Sequence, residues 1–427
     1  MKKYFGTDGI RGEALIDITP QLVKKVAHAL GCFKINTCIV GMDTRESSKE
    51  LKDALVEGLK DVGFYVYDLN VTTTPCLIYL SKYYNSIGVM ITGSHNTYEK
   101  SGIKIAVKGI KLNDEQALVL ESNMGKNIPV YGAPLPFFSI YPYTKLLKSF
   151  KIASNYKIAF DFSNGSLTNL YREILSYYDF RKTVVANAPD GKNINLKCGS
   201  GYLANVKSIV KLESCDYGFA FDGDGDRVII TDKKGNVYDG DKITYVLANY
   251  YKNNKKLDNN LVVVSEDSNP GLKLSLEKEE IDVVTSGIGD KNVSVKLNEV
   301  KGSLGGEPYG HIILSRLSSG GDGLLTSLMI LEVLSETNRT LEKLTENLEL
   351  YGIIRKKYKT YDERYVETEQ FQKEIERIKS ELPEENSVLI VRVSDDEKVL
   401  NVVISTGDSF LDKSILKEIE NFAQASE

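Results

Sequence analysis

The sequence predicts an α/β protein with a smaller α+β unit at its C-terminal end, and three observations carry that reading. Short apolar runs alternate with amphipathic stretches of helical length, the pattern of βαβ units in largely parallel sheets. The 427 residues suffice for about two to four domains. Past about residue 353 the order becomes strand, helix, strand, strand, helix, which is not another βαβ layer.

Pro20 opens a helical pattern that runs to about Cys32, and Thr-Cys-Ile-Val at 37–40 reads as a buried strand. A helix over 47–62 and a strand over 86–91 follow. Next come a strand at 157–161, helices over 165–178 and 202–212, and a strand at 217–221. Residues 239–251 are helical, 261–265 form a strand and 322–334 a helix. The closing unit reads as a helix over 367–382, strands over 387–393 and 399–405, and a helix over 411–425. Seams are polar or turn-rich. Residues 128–142 carry four prolines, too many for a central strand or a helix interior, 253–260 is a polar loop, and the pattern shifts around 351–361.

The composition is 42% hydrophobic and 26% charged, with a net charge of −5. That balance argues against nucleic-acid or anionic-membrane binding, which relies on basic surfaces. No run approaches the roughly 20 apolar residues of a membrane span. Cys32, Cys38, Cys76, Cys198 and Cys215 are few, odd in number and without metal-site spacing, which suits a reducing compartment. The N-terminus shows no signal-peptide core, so a cytoplasmic location is expected.

Three loops could carry chemistry. Asp222-Gly223-Asp224-Gly225-Asp226-Arg227 follows a strand and spaces three carboxylates so that they can fold around one hard cation, Mg²⁺ or Ca²⁺. An EF-hand register fails, because Arg227 and Lys233 stand where Gly and Glu belong. Three acids would repel one another without a cation, and Arg227 offsets one. Thr92-Gly93-Ser94-His95-Asn96 follows the strand over 86–91, with Lys104 shortly after. It is neither a hydrolase elbow nor a Walker loop. Gly305-Gly306-Glu307-Pro308-Tyr309-Gly310-His311 could bind vicinal sugar hydroxyls. Two of the three histidines, His95 and His311, fall in these loops, whereas His28 sits in the first helix and reads as structural. Gly199-Ser200-Gly201-Tyr202-Leu203-Ala204 matches a dinucleotide fingerprint, but no good strand precedes it.

Together the motifs resemble the α-D-phosphohexomutase superfamily. They comprise Phe5-Gly6-Thr7-Asp8-Gly9-Ile10-Arg11-Gly12, Gly41-Met42-Asp43-Thr44-Arg45, the Ser94 loop, the Asp222 loop, Gly305-Gly306-Glu307 with Gly310-His311, and Gly321-Asp322-Gly323. Within the superfamily the chain is most similar to the branch acting on glucosamine phosphates. The resemblance implies a four-domain architecture around a central cleft. Three related α/β domains would span 1–150, 151–240 and 241–352, and a smaller α+β domain 353–427. It implies a phosphosugar mutase in which Ser94 carries a phosphoryl group and one Mg²⁺ per chain is held by Ser94, Asp222, Asp224 and Asp226. Arg11, Lys104, His95 and His311 would assist transfer. Arg227, Lys291, Glu307, Tyr309, Arg392 and Ser394 would bind substrate. Glucose 1,6-bisphosphate or a similar bisphosphate would charge the serine, and a homodimer is compatible. The alternatives are a mutase for another hexose phosphate, of glucose or mannose type, and a catalytically impaired regulatory paralogue.

The chain departs from the superfamily's pattern on the recognition side. The distal phosphate loop, Arg-x-Ser-Gly-Thr-Glu-Pro with a later Arg, is matched by Arg392-Val393-Ser394-Asp395-Asp396-Glu397-Lys398 and then Asn401. Two carboxylates beside a phosphate dianion repel it, by about 1 kcal/mol per charge pair at 4 Å in water and more at lower dielectric. In the sugar loop Pro308-Tyr309 replaces Gln-Ser, and Gly289-Asp290-Lys291-Asn292 replaces Gly-Asp-Arg-Tyr.

Overall fold

The computed structural model describes residues 4–6, 8–383, 387–394 and 399–425. Thr7 and the stretch Asp395-Asp396-Glu397-Lys398 therefore lie outside the described residues.

Three of the four sheets share one plan. In the first, Tyr65–Val71, Thr37–Met42 and Ile87–Ile91 run parallel and Lys100–Val107 returns antiparallel beside Ile87–Ile91. Gly9–Glu13 and Phe5–Gly6 extend that edge. In the second, Arg181–Val185, Lys157–Asp161 and Tyr217–Phe221 are parallel and Val228–Asp232 returns. In the third, Asp282–Ser286, Leu261–Ser265 and Leu304–Gly306 are parallel and Ile312–Leu314 returns. The loops after Ile91, Phe221 and Gly306 are thus the same turn used three times, each at the carboxyl end of a parallel strand, where open α/β sheets bind ligands. Ile87–Ile91 and Tyr217–Phe221 are buried along their whole length, which is why they read as unbroken apolar runs.

One apolar core runs through these three units, beside separate clusters within each of them. Leu77, Leu80 and Met90 of the first join Phe160, Phe219 and Phe221 of the second and Val262, Leu304 and Leu328 of the third. The helix Gly323–Thr337 supplies much of the third unit's share. It is apolar nearly all round, so it must be buried. Asp322 caps it by accepting from the Leu325 N–H at 2.9 Å.

The fourth sheet is antiparallel throughout, in the order Ile354–Tyr358, Leu400–Ser405, Val388–Val393. Helices Glu369–Glu381 and Ser409–Ala423 cover one face, with Phe371, Ile375 and Ile419 packed on Tyr358, Leu400, Val402 and Ile404 in a separate core. Strand alternation puts Arg355, Lys357, Arg392 and Asn401 on the opposite face. The chain crosses into this unit at Tyr351. Its N–H donates to Asn269 Oδ1 at 2.9 Å and its carbonyl accepts from Asn269 Nδ2 at 2.8 Å.

The expected strands and helices are present with shifted ends. The first helix spans Pro20–Ala29 and tightens into a 3₁₀ turn, Leu30–Phe33, before Lys34 takes a left-handed φ of 56°. The helix expected over 165–178 is shorter, Leu167–Leu175. The returning strands were not expected. Lys100–Val107 carries Gly102 and Lys104 within it, which break the apolar pattern.

Candidate active site

Ser94 sits in the turn after Ile87–Ile91 with a left-handed φ of 51°, a conformation that costs a non-glycine residue about 1–2 kcal/mol. Neighbouring donors hold it there. Arg45 Nη2 donates to the carbonyls of Ser94 at 3.3 Å and Asn96 at 2.5 Å. Asn195 Nδ2, from the second unit, donates to the same two carbonyls at 2.8 Å each. The buried Arg45 is itself fixed by an ion pair with Asp43. The Ser94 N–H donates to Thr92 Oγ1 at 2.8 Å, and its Oγ donates to Asp222 Oδ2 at 3.0 Å.

The Asp222 loop approaches so closely that its glycines are required. A Cβ on Gly223 would stand 2.6 Å from the Ser94 carbonyl oxygen, and Gly225 has φ of 76°. Asp222, Asp224 and Asp226 are fully buried, and their oxygens gather within 4.8 Å of one another. Sequence reasoning did not foresee how their charge is balanced. Lys104 Nζ lies 2.7 Å from Asp224, 2.8 Å from Asp226 and 3.1 Å from Asp8. Arg227 Nε stands farther off, 3.9 Å from Asp222 and 4.0 Å from Asp226. Burial alone would push the Lys104 ammonium down, but Asp224, Asp226 and Asp8 hold it well above the usual lysine range. Asp222 lacks such a partner. Burial, then Asp226 and Asp224, push its carboxyl well up.

This donor set fits a divalent cation. Asp224 Oδ1 and Asp226 Oδ1 are buried with no hydrogen-bond partner, and hard carboxylate oxygens are what Mg²⁺ takes. A second cation here would relieve the charge that raises Asp222.

The third loop docks on the second by a backbone bridge between Arg227 and His311 and by the Val228 N–H to the Gly310 carbonyl at 3.0 Å. His311 Nε2 lies 3.0 Å from Asp290 and 3.8 Å from Asp226. Burial would lower this imidazole, but Asp226 and Asp290 push it up to about 9. His95 is the opposite case: burial, then Arg227, Arg11, Lys357 and Lys104, hold it well below the usual histidine range. Glu307 is buried, accepts from the Gly289 N–H at 2.8 Å, and is pushed up to about 7 by that burial. Lys111 bridges Asp8, at 2.6 Å, and Asp290, joining the first unit to the third.

Ser94, His95, Lys104, Arg11, His311, Glu307, Arg227 and the three aspartates are therefore brought together at one junction of three units. Arg11 pairs with Asp8 at 2.7 Å. Lys291 gives its ammonium to Asp114, so it ties the third unit to the first. Tyr309 is half-exposed with its ring facing the Arg355 guanidinium, 5.8 Å from the ring centroid. Arg392 lies on the fourth sheet and Ser394 just past the end of its strand, where the Val399 N–H donates to Ser394 Oγ at 3.2 Å. Asp8, Arg45, Thr74, Lys111, Asn195 and Asp290 were not singled out as site residues, because their partners lie far away in sequence.

Family models described as phosphoglucomutase/phosphomannomutase α/β/α domains I, II and III match residues 2–129, 142–235 and 239–351. A phosphoglucosamine mutase of Buchnera aphidicola subsp. Baizongia pistaciae is 36% identical, across 95% of this chain and 93% of that one. The chain belongs to the α-D-phosphohexomutase superfamily. It is a phosphohexomutase-family enzyme, an isomerase of phosphoglucosamine mutase-like type. Two solved structures share the fold. A phosphoglucomutase/phosphomannomutase family protein from Burkholderia thailandensis has a TM-score of 0.81 at 20% identity, over 97% of this chain and 95% of that one. An N-acetylphosphoglucosamine mutase from Aspergillus fumigatus, in complex with GlcNAc-6P and magnesium, has a TM-score of 0.60 at 15% identity, over 90% and 82%. Among the described residues, no helix is long and apolar enough to cross a membrane.

Proposed function

We propose that this enzyme interconverts glucosamine 6-phosphate and glucosamine 1-phosphate through phosphorylated Ser94 and a bisphosphorylated sugar. The observation that carries the reading is the Ser94 hydroxyl, 3.0 Å from one carboxylate of a buried triad in which two further oxygens have no partner. The glucosamine assignment is supported by full-length relatives that bear that name at 33–36% identity.

Ser94, Asp222, Asp224 and Asp226 would hold one Mg²⁺, which as a Lewis acid would neutralise charge on the moving phosphoryl group. The remaining work belongs to the chain. In the forward half, the bond from Ser94 Oγ to phosphorus breaks as a sugar hydroxyl oxygen bonds to phosphorus, and the hydroxyl proton passes to a site base. In the second half the bond from the other sugar oxygen to phosphorus breaks as Ser94 Oγ bonds to that phosphorus, and the departing sugar oxygen takes a proton from a site acid. Lys104, Arg11 and Arg227 supply fixed positive charge for both halves, the main requirement of phosphoryl transfer. His95 and His311 are the proton-carrying groups beside the reacting atoms. Glu307 receives sugar hydroxyls, Tyr309 borders the same pocket, and Arg392 and Ser394 receive phosphate. Lys291 acts through the contact between units. Glucose 1,6-bisphosphate would charge Ser94 at the outset.

The test is a comparison of kcat/KM for glucosamine, N-acetylglucosamine, glucose and mannose 6-phosphates with Mg²⁺ and a trace of glucose 1,6-bisphosphate. Preference for glucosamine 6-phosphate, lost in Ser94→Ala, is the expected result. A higher value for glucose or mannose phosphate would move the substrate. No turnover of any sugar with Ser94 phosphorylated would make the chain an impaired paralogue.

A further inference from the structure

Three successive carbonyls of the Asp222 loop each accept from the start of a helix, and each helix belongs to a different unit. The Gly223 carbonyl accepts from the Ser166 N–H at 2.8 Å and from its Oγ at 2.9 Å, just before Leu167–Leu175 of the second unit. The Asp224 carbonyl accepts at 3.0 Å from the N–H of Thr74, the first residue of Thr74–Tyr83 in the first unit. The Gly225 carbonyl accepts at 3.0 Å from the N–H of Gly323, the first residue of Gly323–Thr337 in the third. The first N–H groups of a helix have no partner within it, and here the loop supplies their acceptors. The loop backbone is thereby fixed, and the turn of each carboxylate about its last bond is the freedom left.

That turn is decided unequally among the three aspartates. Asp226 Oδ2 accepts from Lys104 Nζ alone, at 2.8 Å. Asp224 Oδ2 takes two donors, Lys104 Nζ at 2.7 Å and Thr74 Oγ1 at 2.5 Å, while Asp224 Oδ1 is buried with no hydrogen-bond partner. A lysine ammonium is a compact point charge on a flexible stem and can serve either oxygen of a carboxylate. A hydroxyl on a β-branched side chain has few positions to choose from, and Thr74 is fully buried. Of the two donors, Thr74 is therefore the one that selects the oxygen.

We propose that Thr74 is a positioning residue of this site: by donating to Asp224 Oδ2 it leaves Oδ1 turned to the divalent cation that the three aspartates would hold. This rests on the metal binding included in the proposed function. Thr74 acts through Asp224, since its hydroxyl is already given to that carboxylate. Partners that orient a metal-binding carboxylate commonly change metal affinity ten- to a hundredfold when removed.

The test is a calorimetric titration of the full-length, chelator-stripped protein with Mg²⁺ alone, run well below the thermal midpoints so that lost stability does not enter the reading. Thr74→Val keeps the shape and the backbone N–H but lacks the hydroxyl, and it should weaken Mg²⁺ binding about ten- to a hundredfold. Thr74→Ala, a second variant without the hydroxyl, should show the same loss. Thr74→Ser should restore the affinity. In turnover assays the Mg²⁺ concentration giving half-maximal rate should rise in Thr74→Val, with KM for glucosamine 6-phosphate unchanged at saturating Mg²⁺. Unaltered Mg²⁺ affinity in Thr74→Val and Thr74→Ala would overturn the positioning role and leave the mutase reading intact, as would a Thr74→Ser protein that binds as weakly as Thr74→Val. Absence of Mg²⁺ binding by the unsubstituted protein would remove the metal reading and this inference with it.

Discussion

The junction of the first three units and the open face of the fourth carry their charges in opposite ways. At the junction the charges are buried and most of them are paired, Asp222 being the exception. Lys104 touches three carboxylates, Lys111 bridges two, and Arg45 and Asn195 pin the Ser94 turn from different units. A continuous core holds those units in one arrangement. On the fourth unit the cations lie on an exposed sheet face over a core of its own. Phosphoryl transfer needs fixed charges aimed at one point. A bisphosphate that must turn round needs a partner that can release and retake it. On the proposed function, the two regions would divide those requirements between them.

Substitutions at the junction should therefore cost most. Ser94→Ala removes the atom that carries the phosphoryl group, and turnover should fall by at least about 10⁴-fold in a coupled assay. Lys104→Met leaves Asp8, Asp224 and Asp226 without their shared cation. A loss of about 3–5 kcal/mol of stability is expected in urea titrations with chelator. Added Mg²⁺ should recover part of it, because a ligand that binds only the folded state stabilises it. An equal loss with and without Mg²⁺ would argue that the triad takes no metal.

Asp241 sharpens the comparison, because it is buried near the fourth unit without a close cation. Burial, then Asp239, push its carboxyl up to about 7, and Arg355 offsets this only in part. A folded value above the unfolded one means that the stability is fully present below about pH 4 and is lost as pH rises towards 7. Asp241→Asn should stabilise the protein by on the order of 2 kcal/mol at pH 8 and by nothing at pH 4, read from thermal midpoints at the two pH values. The smallest effect should come from Asn195→Gly, which keeps the residue's left-handed backbone, φ 56°, and removes only its two donations. A fall of about tenfold in single-turnover transfer with unchanged KM is expected, the net cost of those two lost hydrogen bonds. A change confined to KM would assign Asn195 to substrate binding instead.

The buried strands and the two chemical loops were legible because each is a contiguous run: Ile87–Ile91 before Ser94, and Tyr217–Phe221 before Asp222. The returning strand Lys100–Val107 was not, because its one charged position in mid-strand, Lys104, pairs with residues about 120 positions away. The expectation that Arg227 offsets one of the three acids came from adjacency in sequence, whereas the fold brings Lys104 closer. The loss of an arginine at Asn401 was visible in the sequence. Its neighbours Lys357 and Arg392 were not, since only the register of Ile354–Tyr358, Leu400–Ser405 and Val388–Val393 makes them adjacent.

The most direct test follows one phosphoryl group. The enzyme is incubated with Mg²⁺ and glucose 1,6-bisphosphate, digested, and its phosphopeptides are mapped before and after addition of glucosamine 6-phosphate. Phosphate on the peptide containing Ser94, transferred to sugar when glucosamine 6-phosphate is added, is the expected result. Phosphate absent from Ser94, or present there and retained after the sugar is added, would contradict a phosphoserine mutase acting on glucosamine phosphate.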